Sequence, residues 1–211
     1  MHIIFDWDGT LAKVDVAKEA AIRRSKTLGQ EFDPDWLAKA MKDDSHYKVN
    51  KQLISKYTGV TDDKELTVMM TDLFKYHYLG VSNELKERVL FEGVKGLLEK
   101  LKQQGHILSI ATTLREDIVK EVLKRLSLES YFEHVAGNPP SLDFEKEDLV
   151  KMCTNQLGKA DFVIGDKPSD VDAGLAIGAK GILVNWGTHQ AYSKAHKIVK
   201  DITELRQLLL K

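Results

Sequence analysis

Short apolar runs alternate with amphipathic helical patterns along most of this chain, and that alternation constrains the fold more tightly than any single motif. His2 to Phe5, His106 to Ala111, Asp161 to Gly165 and Gly181 to Asn185 have the length and composition of buried strands, with Tyr131 to Ala136 a weaker fifth. Helical periodicity fills the gaps. Val94 to Gln104 places Val94, Leu97, Leu98 and Leu101 on one face before Gly105, and Glu116 to Leu126 does the same with Ile118, Val122, Leu123 and Leu126. Lys146 to Leu157 stops at Gly158, and Ile202 to Leu210 forms a last amphipathic helix. Strands separated by such helices predict an α/β fold with a parallel sheet and right-handed crossovers.

The alternation lapses in one place. From Val14 to about Val89 there is no strand pattern, only helical stretches over Val16 to Leu28, Asp35 to Lys42, Lys48 to Tyr57 and Lys64 to Tyr78, punctuated by Gly29, Pro34 and Gly59. A helical insertion after the first strand is expected, giving a core of residues 1–14 and 90–211 and a helical domain of residues 15–89. A chain of 211 residues is long enough for a domain with such an insertion.

Composition excludes more than it assigns. The 31 Lys and Arg against 32 Asp and Glu leave a net charge of −1, which gives the chain as a whole no pull toward nucleic acid. Cys153 is the single cysteine, so an internal disulfide framework is impossible and a reducing compartment fits. No run approaches the apolar length of a membrane span, and Asp6 and Asp8 break the start too early for a signal peptide. A soluble cytoplasmic protein is expected, with its oligomeric state left open.

Ligands of open parallel sheets bind beyond the carboxyl ends of the strands. Asp6-Trp7-Asp8-Gly9-Thr10 follows the first run, and Thr112 and Thr113 follow the second. Gly165-Asp166-Lys167-Pro168-Ser169-Asp170 closes the third, with Pro168 suited to a first helical turn that keeps Asp170 near the same mouth. Carboxylates gathered there repel one another and any anionic substrate unless a hard cation sits among them. Mg2+ matches, because it takes oxygen ligands and is commonly held by one or two carboxylates together with substrate phosphate. A phosphate monoester would supply the remaining oxygens, with Thr112 donating a hydrogen bond and a nearby lysine balancing charge.

In this combination the chain resembles the haloacid dehalogenase superfamily, in particular its phosphoglycolate-phosphatase-like branch with a helical cap. The residues that carry the resemblance are Asp6-Trp7-Asp8-Gly9-Thr10, Thr112, Lys146 and Gly165 to Asp170. The resemblance implies a Rossmann-like core with helices on both faces, capped by the insertion of residues 15–89. It also implies a Mg2+-dependent phosphatase acting on a small phosphorylated metabolite. Asp6 would be the nucleophile that becomes an aspartyl phosphate, and Asp8 the general acid and base. Asp6, the backbone carbonyl of Asp8, Asp166 and Asp170 would hold the metal, and Gly9, Thr112, Thr113 and Lys146 the phosphoryl group. In the cap, His46, Tyr47, Lys48 and Lys51 form the candidate cluster for reading the leaving group. Trp186-Gly187-Thr188 is similar to the Trp-Gly loop of that branch and reads equally well as a turn with a packing tryptophan.

Some features depart from the family pattern. Phe91-Glu92-Gly93-Val94 stands where relatives often have Tyr-Pro-Gly-Val, and Ala111-Thr112-Thr113 lacks the frequent Asn after Thr. A calcium loop fails on its spacing, with glycine fourth instead of sixth and Ala17 at the twelfth position. Dehalogenation is disfavoured because the superfamily's dehalogenases lack the second aspartate, present here as Asp8. A phosphomutase on the same fold and a non-catalytic binding protein stay open, as does simple helix capping by Asp166 and Asp170.

Overall fold

In the computed structural model, which describes residues 1–29, 33, 36, 40, 45–61, 63–186 and 191–210, the apolar runs become neighbouring strands of one sheet. The strands are β1 (His2–Phe5), β2 (Ile107–Arg115), β3 (His134–Asn138), β4 (Phe162–Gly165), β5 (Lys180–Val184) and β6 (Lys197–Val199). All pairings are parallel, in the order β3-β2-β1-β4-β5-β6. The helices among the described residues are α1 (Val14–Thr27), α2 (His46–Thr58), α3 (Lys64–Leu85), α4 (Val94–Gln103), α5 (Glu116–Arg125), α6 (Lys146–Leu157), α7 (Pro168–Ala176) and α8 (Ile202–Leu209).

Strand periodicity sorts side chains onto two covered faces. Ile3, Phe5, Leu108, Ile110, Phe162, Ile164, Ile182 and Val184 join one apolar cluster with α4, α5 and α8. Ile4, Ala111 and Val163 point into the other, with Leu149, Val150 and Cys153 of α6 and Ala173 of α7. Helices therefore cover both faces of the parallel sheet, as in Rossmann-like folds. Register aligns Phe5 with Ile110 and with Ile164, so the residues just beyond these positions share one edge.

The boundaries differ from the sequence reading where tertiary contacts extend or redirect the chain. β2 does not stop at Ala111. It runs through Thr112 and Thr113 to Arg115, with a register shift against β3 between Thr112 and Arg115. The third strand lies at His134–Asn138, since Glu129–Tyr131 is a 3-10 turn. β6 is short and partly exposed, so it lacks the apolar run that marks the others. The segment read as a helix over Asp35 to Lys42 lies outside the described residues apart from Trp36 and Ala40.

Local chemistry starts the inserted helices. Ser45 Oγ accepts from the Lys48 N–H at 3.2 Å and Asp63 Oδ1 from the Leu66 N–H at 2.8 Å, two N-caps that open α2 and α3. α3 runs on past Tyr78 to Leu85, because its later turns bury Val81 and Ser82. α1, α2 and α3 pack together, and their buried Ala20, Leu53 and Phe74 are continuous with the sheet's larger cluster.

Leu101 is fully buried in that cluster, whereas Leu142 is 50% exposed. Leu101→Ala is expected to cost about 2–5 kcal/mol and Leu142→Ala less than about 0.5 kcal/mol. Urea denaturation measures both, and equal losses would contradict the core assignment.

Candidate active site

Asp6 begins where β1 ends, and its backbone N–H donates to the Ile164 carbonyl at 2.8 Å, so the chain leaves the sheet locked against β4. Its carboxylate is 7% exposed. The Lys146 ammonium, at the first turn of α6, reaches Asp6 Oδ1 at 2.5 Å, Asp170 Oδ1 at 2.9 Å and the Ala111 carbonyl at 3.0 Å. An ammonium 140 positions along the chain from Asp6 is thus brought against it. Lys146 is the lysine that enters the site.

Asp170 has a second task. Its Oδ2 accepts from the Lys167 N–H at 2.9 Å, closing the first turn of α7 behind Pro168. Capping of α7 and the ion pair with Lys146 coexist in one side chain. Two glycines make the carboxylates' close approach possible. A Cβ on Gly9, whose φ is +87°, would lie 2.4 Å from Asp166 Oδ2. A Cβ on Gly165 would lie 2.1 Å from Asp170 Cγ.

Asp6, Asp166 and Asp170 each offer a carboxylate oxygen, all within 4.8 Å of one another. Among the described residues, Asp166 Oδ1 is buried without a hydrogen-bond partner. An orphaned anionic oxygen in such a cluster is costly, and an oxygen-seeking divalent cation fits it. The electrostatics agree. Burial raises the Asp6 carboxyl to about 6, against the lowering effect of Lys146, with Asp170 pushing it further up. Burial and the charges of Asp6 and Asp170 raise Asp166 to about 8. The same two aspartates hold the Lys146 ammonium well above the ordinary lysine range despite its burial.

Thr112 is buried, and its Oγ1 accepts from the Leu114 N–H at 3.1 Å, which leaves the hydroxyl proton for another acceptor. Thr113 is half-buried and lines a narrow cleft with Tyr47, Asn50, Arg115 and Asn138. Lys48 points elsewhere, to Glu145 Oε1 at 2.6 Å and Asp143 Oδ2 at 3.9 Å. Lys51 lies on an outer groove with Trp36 and Thr61. The side chain of His46 lies outside the described residues. Of the candidates in the insertion whose side chains are described, Tyr47 is the one that lines this cleft.

Several residues of the site carried no sequence motif. Tyr78 of α3 donates its hydroxyl to Asp8 Oδ1 at 2.9 Å and accepts from Trp7 Nε1 at 3.0 Å. Burial and the Asp8 charge keep that phenol far above the ordinary tyrosine range. Arg115 binds Asp117 through Nε and Nη2 at 3.0 and 2.8 Å, and reaches Asp72 of α3 at 2.6 Å. Asn138 donates to the Thr113 carbonyl at 3.0 Å and to Asp143 at 3.2 Å, while its own oxygen accepts from the Phe144 N–H at 2.8 Å. It shapes the loop that delivers Lys146. Trp186 donates to the Thr10 carbonyl at 3.1 Å and packs near Phe91, which favours a packing role; Gly187 and Thr188 lie outside the described residues.

Residues 3–184 match the model of the haloacid dehalogenase-like hydrolases. The chain is 28% identical over 209 residues to a phosphoglycolate phosphatase of Aquifex aeolicus, covering 95% of this chain and 90% of that protein. Its fold is similar to a predicted phosphatase from Clostridium acetobutylicum, with a TM-score of 0.75, 23% identity and coverage of 99% and 97% of the two chains. It is also similar to a β-phosphoglucomutase from Clostridium difficile, with a TM-score of 0.77, 17% identity and coverage of 97% and 92%. No described helix is long and apolar enough to cross a membrane. With its acidic cluster at the carboxyl edge of a parallel sheet, and with a family match across most of its length, the chain belongs to the haloacid dehalogenase-like hydrolases, on their phosphatase-like side.

Proposed function

We propose that this hydrolase is a divalent-metal-dependent phosphatase that cleaves a small phosphate monoester through an aspartyl phosphate on Asp6. The observation that carries the reading is the Lys146 ammonium shared by Asp6, Asp170 and the Ala111 carbonyl, beside the orphaned Asp166 oxygen. That arrangement keeps Asp6 a carboxylate and presents a charge-neutralising group where a phosphoryl oxygen would lie. Asp6 attacks phosphorus and the bond to the leaving oxygen breaks, while Asp8 gives that oxygen a proton. Water then attacks the aspartyl phosphate, Asp8 takes its proton, and inorganic phosphate leaves with Asp6 regenerated.

Thr112 offers its hydroxyl proton to the transferring group, and Gly9 lets the backbone approach it. Asp6, Asp166, Asp170 and the Asp8 carbonyl would hold the metal. Mg2+, when bound, would neutralise carboxylate and phosphate charge together. Residues 15–89 serve as a cap over a core of 1–14 and 90–211, a division supported by the cleft that Tyr47 and Asn50 share with Thr113 and Arg115. The similarity to phosphoglycolate phosphatases supports a small, soluble substrate.

Asp6→Asn, which keeps the shape and removes the nucleophile, is expected to lower turnover by about a thousandfold or more. A Mg2+-supplemented panel of phosphate esters, including phosphoglycolate and hexose phosphates, measures it, with product analysis separating released phosphate from phosphate moved within a sugar. Parent-level hydrolysis by the variant would sink the covalent mechanism.

A second outcome follows from the raised carboxyls. Between about pH 4, where an unfolded aspartate titrates, and about pH 8, the folded metal-free site holds protons that the unfolded chain has lost. Metal-free stability therefore falls as pH rises through that window. Metal ligands must be deprotonated, so millimolar Mg2+ should raise the melting temperature more at about pH 8.5 than at about pH 6, and much less in Asp166→Asn. Calorimetry showing an equal shift at both pH values, or in the variant, would exclude this metal site.

A further inference from the structure

We propose that Tyr78 is a positioning residue that, locked in direction by Trp7, fixes which oxygen of Asp8 carries the transferable proton. The inference rests on the phosphatase reading above and adds to it a residue outside the recognised motifs. Tyr78 is completely buried in α3, with its hydroxyl 3.0 Å from Trp7 Nε1 and 2.9 Å from Asp8 Oδ1. An indole N–H can only donate, so at the first contact the tyrosine oxygen must accept. A phenol has one proton, and that proton is left for Asp8 Oδ1. With Asp8 a carboxylate, which can only accept, both directions are thereby set by the inventory of donors and acceptors.

The consequence falls on the carboxyl group. A carboxyl's terminal torsion is broad and roughly two-fold, so an untethered aspartate presents either oxygen to a reactant. With Oδ1 occupied as an acceptor, the proton that Asp8 gives to the leaving oxygen and later takes from water travels on Oδ2. Trp7 gains a purpose as well. It stands between the two catalytic aspartates in sequence, with its ring in the core and its N–H setting the polarity of the Tyr78 contact. The phenol itself passes no proton to substrate, because its one proton stays on the Tyr78 oxygen, hydrogen-bonded to Asp8 Oδ1.

Leaving-group dependence separates this role from a structural one. An aliphatic phosphate needs its leaving oxygen protonated, whereas p-nitrophenolate departs readily without help. kcat/KM reports the steps through leaving-group departure. Tyr78→Phe keeps the ring beside Phe74, 5.8 Å between centroids, and removes only the hydroxyl. It is expected to lower kcat/KM for an aliphatic ester from the panel by about 10- to 100-fold, and for p-nitrophenyl phosphate at least about tenfold less than that. Trp7→Phe, which frees the phenol to turn its proton away, should show the same bias with smaller amplitude, and carries the test if Tyr78→Phe does not fold. Equal losses on both esters, or no loss on either, would overturn the positioning role while leaving the phosphatase reading intact. A parent protein inactive on both would overturn that reading, and this one with it.

Discussion

One buried ammonium ties the site together. Lys146 is 8% exposed, and a lysine charge in that position is strongly unfavourable unless its partners surround it. Asp6, Asp170 and the Ala111 carbonyl do so, and they come from the end of β1, from α7 and from β2. Removing one partner of such a buried set typically costs about 3–5 kcal/mol, so the relative placement of four elements hangs on a single nitrogen. The loop that brings Lys146 there is braced on both sides, by Asn138 from β3 and by Lys48 from α2. Three carboxylates around one ammonium still leave an excess of negative charge, which is why burial raises Asp6 and Asp166 and why a cation suits the remaining oxygens.

The inserted helices are joined to this centre mainly through α3. Arg115, at the end of β2, bridges Asp117 and Asp72, and Lys75 reaches Asp117 at 2.7 Å. Arg115 is nearly buried, with its side chain 9% exposed, so its paired geometry counts for more than that of a surface ion pair. Within the insertion, Arg24 is buried against the Phe74 ring and hydrogen-bonded to Asn50, and burial lowers its guanidinium to about 10. The insertion thus has a polar interior of its own, adjoining the cleft lined by Asn50 and Tyr47.

What the sequence made legible follows from how local each signal is. β1 and β4 are short, apolar on both faces and followed at once by acidic motifs, so both strand and site could be read directly from His2 to Thr10 and from Phe162 to Asp170. Lys146 was legible through its place at the start of a helix. β6 was not, because a three-residue edge strand has no periodicity to detect, and the end of β2 was hidden by its polar Thr112, Thr113 and Arg115. Tyr78 and Arg115 escaped for a different reason. Tyr78's partners are 70 and 71 residues away and Arg115's partner on α3 is 43 away, and nothing in a helical repeat distinguishes a tyrosine packed in a core from one aimed at a carboxylate. Lys48 shows the same ambiguity, since a lysine near a helix start serves a loop carboxylate, here Glu145, as readily as a ligand.

Asp6 and Asp8 are therefore held from different sides. Asp6 is fixed by the core through Lys146 and the Ile164 carbonyl, and Asp8 by α3 through Tyr78. On α3, Thr71, Asp72, Lys75, Tyr78 and Leu79 meet the core, related by three- and four-residue steps and so lying on one helix face. A shift of one residue along the helix would turn that face by about 100° and remove all of these contacts together. The register of α3 is thus fixed as a unit by chemistry at the sheet edge. α2 is held differently: Lys48 pairs with Glu145 of the loop before Lys146, and Tyr47 and Asn50 line the cleft with Thr113 and Arg115. α3 therefore meets Asp8 itself, whereas α2 meets the loop that carries Lys146 and the cleft beside it, so the two helices contact different parts of the sheet edge.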